Sequence, residues 1–309
     1  MGQKSWRGQI HYALQAIDQR GTSKHDAKRD YGHRPGQAVP GVFSDGYLNT
    51  VFDRAITLTH WITVHYPELR RFDQVDTGLI TEYLAEKTAT CAPSTVRTHL
   101  ACLRKLQEAL RARGWIREYI VPTEWAVDSA KVHRGAYAAG DARAIADFMD
   151  RRDRLYGQAL RFILATGARI DEVFHVRSDK VYPVERRVEL LGKGGKTRRI
   201  QVLDGAVLAE LDRSRRFVYL ERGQERTWKN GLEDAVRGAA DQLGIRRRGV
   251  HGFRGTAATE FIQMKMDLMG ESEHEARREL AMWLGHNPQR TEVTYAYVPR
   301  IVCQPKVMG

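Results

Sequence analysis

Cysteine is scarce in this sequence, which has three among its 309 residues, at Cys91, Cys102 and Cys303. Three scattered cysteines cannot build a disulfide framework, and none belongs to a C-x-x-C pair of the kind that binds zinc. Long apolar runs are also missing, since no stretch approaches the roughly 18 residues that a membrane-spanning helix requires, and no apolar signal segment opens the sequence. We therefore expect a soluble protein of a reducing cytoplasm, without a metal site and without membrane contact.

Positive charge is what the sequence has in excess. Lys and Arg number 50 against 38 Asp and Glu, which gives a formal net charge of +12 and an isoelectric point near 9.7. Because such a protein attracts polyanions, nucleic acid is the expected partner. The 42% hydrophobic content is typical of globular proteins, and the length permits one large domain or two ordinary ones.

The pattern along the chain predicts a basic N-terminal segment followed by two folded domains. We place these parts at residues 1–40, 41–125 and 126–309, and the boundary between the domains falls within residues 118–136, where periodicity is lost around Pro122. The basic segment begins with an amphipathic helix, indicated by the spacing of Trp6, Ile10, Leu14 and Ile17. The polar loop that follows is typical of a linker or of an arm that follows DNA.

Residues 41–125 have the pattern of a small helical bundle. Its last helix, in PSTVRTHLACLRKLQEALRARGW, has one apolar stripe formed by Val96, Leu100, Leu103 and Leu110. Basic residues occupy the other faces, and we expect three of them to contact the DNA backbone: Arg97, Arg104 and Lys105. A solvated charged face with no partner is the alternative interpretation.

The second domain combines helices with one β-hairpin. The segment RRVELLGKGGKTRRIQVL has two strand-like arms around a Gly-rich turn, with Lys193 near the tip. Helical patterns precede and follow this hairpin. The expected fold is therefore mostly α with a small β-sheet, as a helical bundle followed by a mixed α/β domain.

Reactive residue types occur in five short motifs of the second domain. They are Arg169 and Glu172 in LATGARIDEV, Lys193 in GKGGKTR, His251 and Arg254 in HGFRGTAAT, His286 in LGHN, and Tyr295 in TEVTYAYV. His251 and Arg254 share one face of a helix, so they point toward a negative group or a group that loses a proton, although a plain surface pair is the alternative. Each motif alone is weak evidence, whereas the ordered set is much more specific.

From about Phe43 to Tyr297, these motifs resemble the tyrosine recombinases, also called phage-type integrases. The segment APSTVRTHLACLRKLQEAL is similar to the helical core-binding (SAM-like) domain of that family, and the five motifs are similar to its catalytic domain. The resemblance implies an enzyme that cuts and rejoins double-stranded DNA at a specific recombination site through a 3′-phosphotyrosyl intermediate. It further implies a homotetramer that passes through a Holliday junction, located in the cytoplasm with the nucleoid.

The resemblance also implies the partners and cofactors. No cofactor is expected, because the phosphotyrosyl bond keeps the energy of the phosphodiester and rejoining needs neither ATP nor a metal. Accessory proteins that bend DNA or set the direction of recombination are possible partners.

Roles for the motif residues follow from the resemblance and from the charge on a phosphodiester. Tyr295 is the expected nucleophile, His251 accepts its proton, and Lys193 protonates the departing 5′ oxygen. Arg169 and Arg254 stabilise the negative charge that grows on the non-bridging oxygens, because the guanidinium fork matches phosphate geometry.

Supporting roles are expected for the remaining residues. His286 donates a hydrogen bond to a non-bridging oxygen, and Glu172 orients the neighbouring cations. On the hairpin, Lys196 and Arg198 are expected to contact DNA.

Several alternatives remain open at this stage. Tyr297 competes with Tyr295 as nucleophile, although the family spacing of nine residues from His286 selects Tyr295. Lys196 competes with Lys193 as the acid. A type IB topoisomerase would use the same chemistry without strand exchange, and an inactive DNA-binding architectural protein would need only the basic surface. The spacing of 32 positions from Arg254 to His286 predicts an added loop or a helix extension.

Overall fold

A computed structural model shows two compact units, Met1–Val132 and His133–Gly309. The structure describes residues 5–32, 38–127, 135–192, 195–220 and 223–299. No helix in these ranges is both long enough and apolar enough to cross a membrane.

The regular secondary structure in the described parts of the first unit is helical, apart from one isolated β-bridge between Asp18 and Val42. Its α-helices are α1 (Trp6–Leu14), α2 (Lys24–Asp30), α3 (Asp45–His65), α4 (Thr77–Thr90) and α5 (Pro93–Ala112). Helix α5 begins with Pro93, whose missing N–H is no loss in the first turn, and ends before Gly114, which has a φ of +67°. The predicted helical bundle is confirmed.

The apolar stripe of α5 lies in the core of this unit. Val96, Leu100, Leu103 and Leu110 are all buried. Helix α1 contributes to the same core through Ile10, Ala13 and Leu14, and Ile17 follows in a turn of 3₁₀ helix. The predicted N-terminal amphipathic helix is therefore present, and it packs inside the first unit. The domain bounds given above stay a prediction.

The second unit surrounds one buried core with seven helices in its described residues. They are α6 (Ala139–Arg152), α7 (Arg154–Thr166), α8 (Ile170–Phe174), α9 (Ala206–Ala209), α10 (Glu225–Gln242), α11 (Val250–Met269) and α12 (Glu273–Trp283). Helix α7 packs against both α6 and α11, so it lies at the centre of the unit. The segment between Arg254 and His286 contains the remainder of α11, a short connection at residues 270–272, and α12. The expected added loop or helix extension stays a prediction.

The predicted hairpin is confirmed, and a short strand extends it to three. Strands β1 (Val181–Tyr182), β2 (Arg187–Leu191) and β3 (Thr197–Gln201) form an antiparallel sheet in that order. Val188 pairs with Ile200 and Leu190 with Arg198. Because paired residues project to the same face, Arg198 shares the inner face with these apolar side chains.

Candidate active site

Glu172 is the carboxylate on which three arginines of the second unit converge. It is 2% exposed and stands in the first turn of α8, where it accepts the N–H of Arg169 at 2.7 Å. It also accepts Arg169 Nη1 at 2.9 Å and Arg198 Nη2 at 2.8 Å, and Arg198 Nη1 contacts the same carboxylate. Arg254 Nη1 lies 4.0 Å from Glu172 Oε2.

This cluster has more positive than negative charge. Burial alone would raise the pKa of Glu172, but Arg198, the Arg169 N–H and Arg254 outweigh it and lower the pKa, so the carboxylate is ionised. Three guanidiniums around one carboxylate leave a net charge of +2. The surplus makes the cluster a site for an anion.

Arg254 is buried, at 1% exposure, and two backbone carbonyls hold it in place. Its Nη1 donates to the carbonyl of Gly167 and its Nη2 to the carbonyl of Leu284 at 2.7 Å. Burial lowers the pKa of Arg254 to about 10, so the group is still charged near neutral pH. Gly167 ends α7 with a φ of +58°, and a Cβ there would collide with Trp283. The chain can therefore turn toward Arg169 only with glycine at this position.

Two histidines border the arginines. His286 Nε2 lies 3.4 Å from Arg169 Nη2, and burial followed by Arg169 and Arg254 lowers its pKa to about 4. Shielding from water lowers the pKa of His251 as well, and Arg254 and Arg169 lower it further. His286 is therefore neutral near pH 7 without an anion, and an anion between the arginines would favour its protonated, donating form.

Tyr297, rather than Tyr295, contacts the arginine and histidine of α11. Arg254 Nε donates to the Tyr297 hydroxyl at 3.3 Å, and the ring centroids of His251 and Tyr297 are 5.3 Å apart. His251 and Arg254 thus face the same way, as their spacing predicted. The contact falls on the residue that the sequence analysis kept as the alternative nucleophile.

Tyr295 lies against a different arginine. The residue is 42% exposed, and the guanidinium carbon of Arg277 stands 3.8 Å from the centroid of its ring. Tyr295 belongs to a 3₁₀ helix, Thr291–Ala296, and Tyr297 follows directly after it. Both tyrosines are therefore on one short segment, each on its own buried arginine.

The predicted lysines of the hairpin are described only in part. Lys193 lies outside the described residues. Lys196 is exposed just before β3, on the side of the turn where Gly192 N donates to its carbonyl at 2.7 Å. Arg198 was expected to contact DNA, but its side chain is 13% exposed and is bound to Glu172 and to the Trp283 carbonyl. In this arrangement it is a structural partner of Glu172, because the register of β3 turns it inward.

The three basic residues expected on α5 have different surroundings. Lys105 is buried at 7% exposure, and its Nζ donates to the Val39 carbonyl at 2.6 Å and to Glu108 at 2.7 Å. Lys105 is therefore not part of the exposed basic face of α5 in this structure, and its contact with DNA stays a prediction. Arg104 is exposed and donates to the Thr123 carbonyl at 2.6 Å, whereas Arg97 is half-buried.

Arg277 was missed by the sequence analysis. It is 1% exposed and lies on α12, within the segment that the spacing of motifs marked only as extra. Glu273 four residues earlier is the one available signal, and that spacing predicts an ordinary surface ion pair. The signal for the inward-facing Arg198 was stronger, since it alternates with Ile200 along one strand.

No group of three or more His, Cys, Asp or Glu side chains within the described ranges is arranged to hold a metal ion. What the cluster offers is guanidinium donors, two histidines and the phenol group of Tyr297, whereas Tyr295 lies on Arg277. Such a set binds an anionic group and can exchange a proton with it.

Comparison with known families and structures identifies the family of this chain and its fold. Residues 138–298 match the model of the phage integrase family, which covers the whole described cluster. No curated protein matches the sequence.

Solved structures share the fold at low identity. A lambda integrase dimer bound to a COC′ core site has a TM-score of 0.67 and 12% identity, over 93% of this chain and 81% of that one. A lambda integrase tetramer bound to a Holliday junction has a TM-score of 0.64 and 12% identity, over 94% and 82%. XerH site-specific recombinase bound to difH substrate has a TM-score of 0.60 and 12% identity, over 98% and 95%. These matches confirm the predicted fold, mostly α with a small sheet.

Proposed function

Because the chain belongs to the phage integrase family, we propose that it is a site-specific DNA recombinase that cuts and rejoins strands through a 3′-phosphotyrosyl intermediate. Its substrate is double-stranded DNA with a defined recombination site. The observation that supports this most is the buried Glu172 surrounded by Arg169, Arg198 and Arg254, with a net charge of +2 and two histidines beside it.

A scissile phosphate would complete this cluster. The transition state adds charge to the non-bridging oxygens, and guanidiniums already held in place stabilise that charge without reorganising. Arg169 and Arg254 donate to these oxygens in the proposal, and His286 donates once the phosphate raises its pKa. Glu172 holds Arg169 and Arg198 so that this geometry exists before DNA arrives.

The bonds made and broken follow from this arrangement. The tyrosine oxygen forms a bond to phosphorus while the bond from phosphorus to the 5′ oxygen breaks. The phenol proton goes to His251, and Lys193 gives a proton to the 5′ oxygen. The reverse reaction with a new 5′ hydroxyl rejoins a strand without ATP.

We assign the nucleophile to Tyr295, on the spacing from His286. In the structure, the Tyr297 hydroxyl accepts a hydrogen bond from Arg254 Nε, the same donor that a phosphate oxygen would use. A bound phosphate must therefore displace the Tyr297 hydroxyl from that donor. Tyr297 remains the alternative nucleophile, and the contact with Arg254 is the observation that favours it.

Assembly and location belong to the same proposal. The enzyme acts as a homotetramer on two duplexes through a Holliday junction, in the cytoplasm with the nucleoid, and accessory DNA-bending proteins assist it. The solved lambda integrase tetramer with the same fold is bound to such a junction. Arg97, Arg104 and Lys196 are the proposed contacts to the DNA backbone.

The first experiment captures the covalent adduct on a denaturing gel. Labelled nicked duplexes, tiled from DNA that flanks the gene of this protein, are incubated with the parent, Tyr295→Phe and Tyr297→Phe in the presence of EDTA. We expect an adduct that only Tyr295→Phe abolishes. Loss only in Tyr297→Phe would move the nucleophile by two residues.

Two controls separate the rival functions. Binding without any adduct would favour the inactive architectural protein. Relaxation of supercoiled plasmids of any sequence, without strand exchange, would favour a type IB topoisomerase.

A second experiment tests whether Lys193 is the general acid that protonates the departing 5′ oxygen. In a substrate with sulfur in place of the bridging 5′ oxygen, the leaving thiolate needs no proton, because a thiol has a pKa of about 8.5. Lys193→Ala should cleave the ordinary substrate slowly and the sulfur substrate at the parental rate. Lys196→Ala is the matched control, and rescue of this variant instead would assign the acid to Lys196.

A further inference from the structure

Arg277 is a buried guanidinium whose donors hold the segment that contains both tyrosines. Its side chain is 2% exposed, and its Nε donates to Glu273 at 2.7 Å on its own helix. Its Nη1 donates to Thr294 Oγ1 at 3.1 Å and to the Val298 carbonyl at 3.0 Å, and its Nη2 to the Pro299 carbonyl at 3.2 Å. Three of these four acceptors therefore lie on the tyrosine segment.

The flat face of the Arg277 guanidinium lies over the ring of Tyr295. Its central carbon stands 3.8 Å from the ring centroid of Tyr295. A planar cation can stack on a ring while its edge donates hydrogen bonds, which a lysine ammonium cannot do. Arg277 thus holds the Thr294 side chain before Tyr295, the backbone after it at Val298 and Pro299, and the ring of Tyr295 itself.

We propose that Arg277 is a positioning residue that sets where the Tyr295 hydroxyl lies relative to the scissile phosphate. The inference rests on the proposed recombinase function. Arg277 acts through the tyrosine segment, and no contact of Arg277 with DNA is part of the proposal.

The expected size of the effect follows from the geometry of phosphoryl transfer. The attacking oxygen has to approach phosphorus to about 3–3.5 Å in line with the leaving group, and a displacement of about 1 Å costs roughly 10²-fold in rate. Arg277→Lys keeps the charge but loses the fork and the stacking plane. We expect it to lower the rate constant of cleavage by about 10²-fold.

The test is single-turnover adduct formation at saturating nicked DNA, together with the DNA dissociation constant. A merely structural residue would change the fraction of active molecules, which sets the amplitude, and leave the rate constant unchanged. For Arg277→Lys we expect a lower rate constant and a dissociation constant within about twofold of the parent. The sulfur substrate should not rescue the variant, because protonation of the leaving group is not what it lacks.

Two further variants complete the design. Arg278→Lys changes the adjacent, exposed arginine in the same way and should match the parent. Thr294→Val removes one acceptor of Arg277 without exposing the buried charge, and it should lower the rate constant by a smaller factor. If Arg277→Lys does not fold, Thr294→Val decides the question alone.

The outcomes separate this inference from the proposed function. A parent that forms no adduct overturns both. A parent that forms adduct, beside an Arg277→Lys variant with an equal or faster rate constant, overturns only the positioning role. Loss of DNA affinity in step with loss of cleavage would also overturn it, since Arg277 would then act on binding.

Discussion

Replacing Glu172 with glutamine tests the electrostatic reasoning most directly. The change keeps the shape of a side chain that is 2% exposed but removes the one negative charge shared by Arg169, Arg198 and Arg254. The new amide also turns a donor toward groups that can only donate. Breaking a buried ion pair from one side costs about 3–5 kcal/mol, and the partial exposure of Arg169 favours the lower end of that range.

The assay is urea unfolding at constant ionic strength, in chloride and in sulfate. We expect Glu172→Gln to lower the free energy of unfolding of the second unit by about 3 kcal/mol in chloride. Sulfate should recover more stability in the variant than in the parent, because binding to the folded state adds about RT ln(1 + [L]/Kd) and the variant has the greater positive charge.

Asp171→Asn is the matched control for Glu172→Gln. It removes a neighbouring charge from an exposed pair with Lys229 at 2.6 Å, and such a pair is worth at most about 1 kcal/mol. Equal losses in the two variants, or a loss below about 1 kcal/mol in Glu172→Gln, would refute the view that the three arginines depend on this carboxylate.

Three other predictions concern single residues. Gly167→Ala should lower the free energy of unfolding by about 2 kcal/mol or more, because a φ of +58° and the Trp283 ring both oppose a Cβ. Gly238→Ala on α10 is the control: a Cβ there meets no other atom, so this variant should be neutral or stabilising in the same unfolding assay. Lys105→Met should lower the free energy of unfolding by about 1–3 kcal/mol and leave the salt dependence of DNA binding unchanged. If the slope of the logarithm of the binding constant against the logarithm of the salt concentration became smaller by about one, Lys105 would be a phosphate contact after all. The pKa of His286 is about 4 in the folded protein, below its value of about 6.5 in the unfolded chain, so the unfolded chain binds more protons between these two pH values. The contribution of neutral His286 to the free energy of unfolding is therefore complete above about pH 6.5 and is lost as the pH falls to about 4. His286→Gln should flatten this part of the stability profile, and an unchanged profile would contradict the assignment.

The elements with strong periodicity were predictable from sequence. The stripe of α5 and the hairpin formed by β2 and β3 follow from local patterns that the burial of one face reinforces. Helix α11 has no single buried face, since residues 252–258 are all buried, and only the spacing of His251 and Arg254 indicated it. The motifs also identified Arg169, Glu172, Arg254 and His286, which the structure brings into one cluster.

What the sequence could not supply was the partner of each charged group. Lys105 has the spacing of an exposed residue, but it is buried and donates to the Val39 carbonyl, 66 positions earlier in the chain. The two tyrosines differ by two positions in sequence, and local propensity does not determine which one reaches Arg254. Arg277 faces inward and donates to the Val298 carbonyl, a contact that forms only when the chain after α12 folds back on that helix.

Arg254 links the chemistry of the cluster to the order in which the chain folds. Its side chain binds the Gly167 carbonyl 87 residues earlier, the Leu284 carbonyl 30 residues later and the Tyr297 hydroxyl 43 residues later. Contacts of such long range form late, since they depend on closure of large loops. A growing or partly folded chain therefore has its arginines dispersed, and the positively charged cluster around Glu172 forms only when the last helices have packed.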